Sequence, residues 1–295
     1  MLDFDFYSPE EEIVLPLYEA HDVRVFVKRD DLIHPYISGN KWRKLKYPLE
    51  EALLTNKKIL VTFGGAWSNH LLATACAGAK FRFQTVGFVR GEAIDNPVLR
   101  LCQLFGMELH FVDRERYRDK RALFDTYFAD AEDAYFVDEG GYGVLAAQGC
   151  AEITNELHRT YDHFFCACGT GTTLAGLALG VNTHQWTTVL HGVPVLKGGD
   201  FIGDEIAKLG VTNTTNIRLH LDYHFGGYAK VKPELIEFIK TFTRQTAIMI
   251  EPTYTGKLFY AIHDLIAQKQ IERGSKVLVI HSGGLTGLLG MLDKF

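Results

Sequence analysis

Lys41 stands in Ser38-Gly-Asn-Lys41, in the first turn of a segment that begins a helix, close to a glycine and a strand end. Lys44 and Lys46 just beyond it read equally well as a solvated basic face, which is where most single lysines belong. Partial burial of Lys41 would loosen its proton and free an amine for Schiff-base chemistry. A second candidate is Gly169-Thr-Gly-Thr-Thr173. Gly169 and Gly171 tolerate positive φ, Thr170, Thr172 and Thr173 bring hydroxyl donors, and the helix that follows offers unpaired N–H groups to a phosphate. The same turn reads equally as a plain strand-to-helix connection. No Gly-Lys-Ser/Thr follows, so it is not a nucleotide P-loop, and it lacks the third spaced glycine and later acid of a dinucleotide fingerprint.

Ser68-Asn69-His70 lines up a hydroxyl, an amide and an imidazole at another helix start. That set suits a carboxylate or phenolic oxygen, although N-capping accounts for Ser68 or Asn69 and a structural role for His70. Tyr228 in Phe225-Gly-Gly-Tyr228 and Tyr254 in Glu251-Pro-Thr-Tyr-Thr-Gly-Lys257 are loop tyrosines beside glycines, with core packing as the alternative.

The elements that must position these groups alternate between short β-branched or aromatic runs and longer helical segments, the pattern of parallel α/β architecture. Strands are expected over 23–28, 58–63, 84–89, 108–112, 135–137, 163–168, 187–193, 216–221, 248–250 and 276–280. Helices are expected over 40–54, 69–79, 97–105, 116–128, 144–159, 172–180, 202–209, 233–244, 257–270 and 286–292. So many strands exceed what one open sheet usually holds. No Pro- or Ser-rich linker separates them, which suggests that one domain is inserted into the other. Gly-rich turns at 63–70, 168–174 and 281–287 each join a strand to a helix, the place where α/β sheets bind ligands.

Composition narrows the functions further. The 295 residues are 47% hydrophobic and 23% charged, with net charge −5. That balance describes a folded globular chain and gives no electrostatic footprint for nucleic acid. The five cysteines lie mostly in apolar or Gly-rich surroundings, as expected of buried thiols in a cytoplasmic protein. Cys166 and Cys168 have one residue between them and no second pair stands at zinc spacing, so no metal site is expected. The acidic start does not resemble a secretory signal. Residues 163–196 carry no Asp, Glu, Lys or Arg, but glycines, threonines and Pro194 interrupt the stretch, which reads as buried interior, not membrane span.

Taken in order, Lys28-Arg-Asp-Asp31, Ser38-Gly-Asn-Lys41, Ser68-Asn-His70, Gly169-Thr-Gly-Thr-Thr173, Tyr254-Thr-Gly-Lys257 and His281-Ser-Gly-Gly284 resemble fold-type II pyridoxal-phosphate enzymes of the tryptophan synthase β-like superfamily. The resemblance is closer to the branch containing 1-aminocyclopropane-1-carboxylate (ACC) deaminase and D-cysteine desulfhydrase, and spans nearly the whole chain. It implies two α/β domains with parallel-rich twisted sheets flanked by helices, a large one from 1–47 and 148–295 and a small inserted one from 48–147. It also implies a homodimer, with pyridoxal 5'-phosphate in the cleft between domains.

By the same resemblance Lys41 holds the cofactor aldehyde and later acts as base at Cα, while Gly169, Thr170, Gly171, Thr172 and Thr173 cradle the phosphate. Asn69 meets the ring hydroxyl, and Thr255 or Ser282 faces the ring nitrogen. Ser68, Asn69 and His70 receive the substrate carboxylate, and Tyr228 and Tyr254 act as acid/base or positioning groups. In this branch the deaminases resemble one another in having Glu after the active-site tyrosine and Leu in the His-x-Gly-Gly turn, whereas desulfhydrases have small hydroxyl residues at both places, as Thr255 and Ser282 are here. A ring nitrogen facing a neutral hydroxyl stores charge less deeply, which favours expelling a β-substituent. The expected activity is β-elimination from D-cysteine or a related β-substituted D-amino acid. ACC deamination and a catalytically inactive cofactor binder are the alternatives.

Overall fold

A computed structural model describes residues 2–295. Its elements in chain order are β1 (Glu10–Ile13), α1 (Pro16–Ala20), β2 (Arg24–Lys28), α2 (Asn40–Leu54), β3 (Ile59–Gly65), α3 (Asn69–Phe81), β4 (Gln84–Arg90), α4 (Pro97–Leu104), β5 (Met107–Val112), α5 (Lys120–Phe128) and β6 (Ala134–Val137). There follow α6 (Val144–Asn155), β7 (His163–Cys168), α7 (Thr172–His184), β8 (Val189–Pro194), α8 (Ile202–Lys208), β9 (Ile217–Leu219), α9 (Pro233–Thr246), α10 (Thr255–Ala267) and β10 (Lys276–Ile280).

Two sheets result. One has the order β1-β2-β10-β7-β8-β9 and the other β5-β4-β3-β6. All pairings are parallel except β1 with β2. The chain therefore starts the larger sheet, leaves it after β2 to build the smaller one, and returns at β7. Strands such as Phe164–Phe165 and Val277–Ile280 are fully buried, as helices on both faces of a parallel sheet require. The uncharged stretch read as interior supplies β7, α7 and β8 and is mostly buried, with Thr183, His184, Gln185 and Thr187 exposed.

Helix α2 carries Lys41, and its placement has two causes. Arg43 is almost fully buried and ion-paired to Asp30 at 2.8 Å and to Glu156, with Lys28 2.9 Å from Glu156, so α2 is fastened to the end of β2. On the α6 side, a Cβ on Gly149 would lie 1.9 Å from the Arg43 carbonyl oxygen, so only glycine lets the two helices approach this closely.

Four expectations need correction. β1 and α1 were not anticipated: Glu10-Glu11-Glu12 looks like a solvated charge run, yet it forms an edge strand that buries Ile13 and pairs Glu12 with Arg24. Residues 248–250 form no ladder; Ile248 and Ile250 are buried, but the Met249 carbonyl accepts from His281 instead. The expected helix over 286–292 is a 3-10 turn, Leu285–Gly290. The helix expected from 116 begins as a separate turn and restarts at Asp119, whose side chain accepts the Ala122 N–H.

Candidate active site

Helix α2 begins at Asn40 with Gly39 at φ +61 in front of it. A Cβ on Gly39 would lie 1.9 Å from the Ser282 carbonyl oxygen, so a left-handed glycine brings the Lys41 turn against the His281-Ser-Gly-Gly turn. The Asn40 N–H donates to that same carbonyl at 3.3 Å. His281, fully buried, fixes the turn: its Nε2 bonds the Met249 carbonyl at 2.7 Å and its Nδ1 accepts from the Gly283 N–H at 3.3 Å.

Lys41 is half-buried, and its Nζ has one weak partner, the Gly140 carbonyl at 3.5 Å. Withdrawal from water, and then the Lys44 charge, hold the Lys41 amine well below the ordinary lysine range. Both effects loosen the proton on this amine relative to a solvated lysine. Lys44 is not the solvated charge expected of it: it is buried and donates to the same Gly140 carbonyl at 3.1 Å. The Glu139-Gly-Gly-Tyr-Gly143 turn that supplies this carbonyl escaped the sequence reading. Its signal was present as a fourth Gly-rich turn after a strand, with Gly140 and Gly141 both at φ +68.

A cavity of about 40 Å³ lies between Lys41, Lys44, Gly140, Tyr254 and the 169–173 turn. Gly171 at φ +80 leads into α7, whose first-turn N–H groups have no carbonyl behind them. Thr172 and Thr173 are buried, with Thr173 Oγ1 accepting from Asn40 Nδ2 at 2.9 Å and Thr170 Oγ1 3.0 Å from Thr172 Oγ1. The Tyr254 ring lies over Gly169, 3.3 Å from where a Cβ would stand.

Tyr254 Oη donates to Tyr228 Oη at 3.4 Å, the rings meeting edge-on with centroids 5.9 Å apart. Residues 26 apart in sequence are thus brought together. Burial pushes both phenols up, so both keep their protons at neutral pH. Two further residues hold this pair, and neither was anticipated. The buried Glu251 carboxylate accepts the N–H groups of Thr253, Tyr254 and Thr255 at 2.7, 2.6 and 2.9 Å, fixing the start of α10. Fully buried Lys257 donates to the Val195 carbonyl at 2.9 Å and the Gly227 carbonyl at 2.8 Å, tying the Tyr228 loop to the end of β8.

Replacing Lys257 with Met leaves both carbonyls without a donor, which is expected to cost about 2 kcal/mol of unfolding free energy. Chemical denaturation measures this, and an unchanged midpoint would contradict the tether. Burial pushes Lys257 down to about 8 from an ordinary value of 10.5. Between those values the unfolded chain binds a proton that the folded chain has released, so this group makes stability rise with pH across the window.

The remaining candidates divide. Ser68 caps α3, its Oγ accepting the Leu71 N–H at 3.2 Å. Asn69 spans the cleft, donating to the Gly284 carbonyl at 3.2 Å and accepting from the Thr286 hydroxyl. His70 is withdrawn from the surface, 2% exposed, with Nε2 2.9 Å from Thr62 Oγ1 and Nδ1 unpartnered among the described residues. Burial, then Lys41 and Lys44, keep it neutral. Thr255 is fully buried and its Oγ1 accepts the Glu251 N–H at 2.8 Å, whereas the partly buried Ser282 hydroxyl has no partner among the described residues.

These features fit pyridoxal phosphate: a lysine amine whose proton is loosened by burial and a hydroxyl-lined helix start line one cavity, and the unpartnered Ser282 hydroxyl belongs to the turn packed against Gly39 at the start of α2. Comparison with known proteins agrees. The family described as pyridoxal-phosphate dependent enzymes matches residues 13–283. A Thermotoga maritima protein named as a candidate 1-aminocyclopropane-1-carboxylate deaminase is 33% identical, with 92% of each chain covered. The mitochondrial bifunctional D-cysteine desulfhydrase/1-aminocyclopropane-1-carboxylate deaminase of Arabidopsis thaliana is 28% identical over 92% of this chain and 74% of the relative. A crystal structure of an ACC deaminase homologue superposes with TM-score 0.87 at 28% identity, covering 99% of this chain and 93% of the other. The architecture is the tryptophan synthase β-like, fold-type II arrangement. The chain belongs to the pyridoxal-phosphate dependent enzyme family.

Proposed function

We propose that the protein is a lyase that takes the Cα proton from D-cysteine, or a related β-substituted D-amino acid, and expels the β-substituent, giving pyruvate, ammonia and the released group. The observation that carries this reading is one cavity lined by the Lys41 amine, whose proton burial loosens, and the Tyr254 phenol, whose proton burial holds. A base and an acid whose environments keep them in complementary proton states are what elimination requires.

Pyridoxal phosphate, when bound, supplies the sink for the electron pair left at Cα. The chain's own groups do the rest. Lys41 would hold the cofactor covalently and, once displaced by substrate, would accept the Cα proton at Nζ. Gly169, Thr170, Gly171, Thr172 and Thr173 hold its phosphate. Asn69 would meet its ring hydroxyl, and Ser68, Asn69 and His70 would receive the substrate carboxylate. Tyr254, hydrogen-bonded to Tyr228, delivers or positions a proton at the departing group. Ser282 would serve the ring nitrogen in preference to Thr255, whose hydroxyl already accepts the Glu251 N–H. With this reading goes the division into 1–47 plus 148–295 and an inserted 48–147, supported by the two strand orders. A cytoplasmic homodimer completes it. Five buried free thiols support the location, and the family resemblance supports the dimer.

ACC deamination is the second reading, favoured by the names of the relatives. The hydroxyls at Thr255 and Ser282 favour elimination. Incubation with D-cysteine and, separately, with ACC decides between them by the 2-oxo acid formed. Pyruvate from D-cysteine is expected. 2-Oxobutyrate from ACC without pyruvate would replace the elimination reading, and neither product from cofactor-loaded protein would leave a binding protein.

A further inference from the structure

A cavity of about 590 Å³ is lined by Arg90, Arg114, Arg118 and Lys120 with Tyr117 and a single carboxylate, Glu139. A chain of net charge −5 has here gathered four cations against one anion. Glu139 pairs with Lys120 at 3.3 Å, while Arg90, Arg114 and Arg118 are exposed and make no ion pair among the described residues. Of the acids that alternate with these arginines, Glu115 is exposed, and the other two are turned to nearby backbone. Asp113 accepts the N–H groups of Glu115 and Arg116, and Asp119 accepts that of Ala122. Tyr117 is a buried platform, with Arg90 Cζ 5.6 Å and Lys120 Nζ 5.4 Å from its ring centre.

The position of this pocket matters as much as its charge. Arg90 ends β4, Arg114 and Arg118 follow β5, and Glu139 follows β6, so the pocket lies off the carboxyl ends of the smaller sheet, where open α/β sheets bind ligands. It neighbours the catalytic cavity through Glu139, while Arg90 lies beside the strand end that leads to the Ser68 turn. Arg90 pairs with Gly65 in the sheet, its Nη2 3.8 Å from where a Gly65 Cβ would stand, and the Gly65 carbonyl accepts the Ser68 N–H at 3.0 Å. Glu139 immediately precedes Gly140, whose carbonyl faces Lys41. The charges of Arg90 and Glu139 reach the Tyr228 phenol.

We propose that this pocket binds a second anionic group on the substrate, so that the preferred β-substituted amino acid carries a carboxylate, phosphate or sulfonate beyond Cβ. The proposal rests on the elimination reading above and deepens it. Guanidinium groups bind such oxyanions through paired N–H donors, and an arginine pocket left without its anion discriminates against neutral analogues. Elimination from such a substrate balances simply: the Cα proton passes to Lys41, the bond from Cβ to the substituent breaks with its electron pair on the leaving anion, and water converts the released enamine to pyruvate and ammonia.

The test uses cofactor-loaded enzyme, O-phosphoserine and O-acetylserine of both configurations, and inorganic phosphate. Calorimetry gives affinities and pyruvate release gives kcat/KM. O-phosphoserine of one hand is expected to bind at least tenfold tighter than either O-acetylserine or inorganic phosphate, and Arg114→Gln with Arg118→Gln is expected to erase that preference. Equal affinity for inorganic phosphate would assign the pocket to a free anion and overturn the proposal. Pyruvate from O-acetylserine with no preference for the phosphate ester would overturn it while leaving the elimination reading intact. No pyruvate from any of them would sink the elimination reading, with the calorimetric comparison still deciding the pocket.

Discussion

Lys41→Ala abolishes the covalently held cofactor and lowers turnover by about 10³-fold or more, the scale expected when a nucleophile that doubles as base is removed. The fold survives the change. Nζ makes only one long bond, 3.5 Å to the Gly140 carbonyl, and its withdrawal from water is unfavourable to the charged amine that the unfolded chain carries. The variant is therefore expected to unfold at the same temperature as the wild-type apoprotein or slightly above it. Absorbance of the purified protein, turnover and thermal unfolding check the three parts together. Cofactor absorbance and turnover that persist in the variant would remove the lysine from its role, and a collapse in stability would show that it serves mainly as structure.

Tyr254→Phe lowers kcat by about 10²-fold to 10⁴-fold, the range for loss of a positioned acid. The phenyl ring keeps its place over Gly169, so the substitution deletes little more than a hydroxyl and its 3.4 Å bond to Tyr228. Stability is expected to change by about 1 kcal/mol or less. Because burial pushes the Tyr254 phenol well above its ordinary value, the acid form persists across neutral pH. The wild-type rate should lose its acid only on the far alkaline side, and the variant should lack that limb. Tyr228→Phe is expected to act more weakly, since Tyr228 is half exposed and reaches the cavity through Tyr254. A Tyr254→Phe enzyme with full activity would move the acid elsewhere.

How much of this was legible in the sequence depends on where each residue gets its role. The 169–173 turn could be read because glycines and threonines before a helix have local consequences for φ and for hydrogen bonding. Lys41 stood out because Ser38-Gly-Asn precedes it. Lys257 and Glu251 did not, because their roles depend on partners brought in by tertiary structure. Lys257 meets carbonyls 62 and 30 residues away, and Glu251 folds back on its own helix start behind a proline. Thr255 and Ser282 were interchangeable as hydroxyls, and only burial and an existing bond distinguish them.

In the fold, the parallel strands were legible from their short β-branched or aromatic runs between helical segments. The edge strand β1 was not, because its three glutamates look solvated until Arg24 is seen across the ladder. Residues 248–250 have the β-branched character of a strand, but the Met249 carbonyl is claimed by His281. Composition does not report which neighbour takes a backbone group.

The central claim is that one side chain holds the coenzyme by a covalent bond, and borohydride reduction of the holoprotein followed by peptide mass mapping tests it most directly. The account predicts the added mass of reduced pyridoxal phosphate on the peptide that contains Lys41 and on no other. An unmodified Lys41 peptide, or the added mass on the peptide containing Lys44 or Lys257, would contradict it.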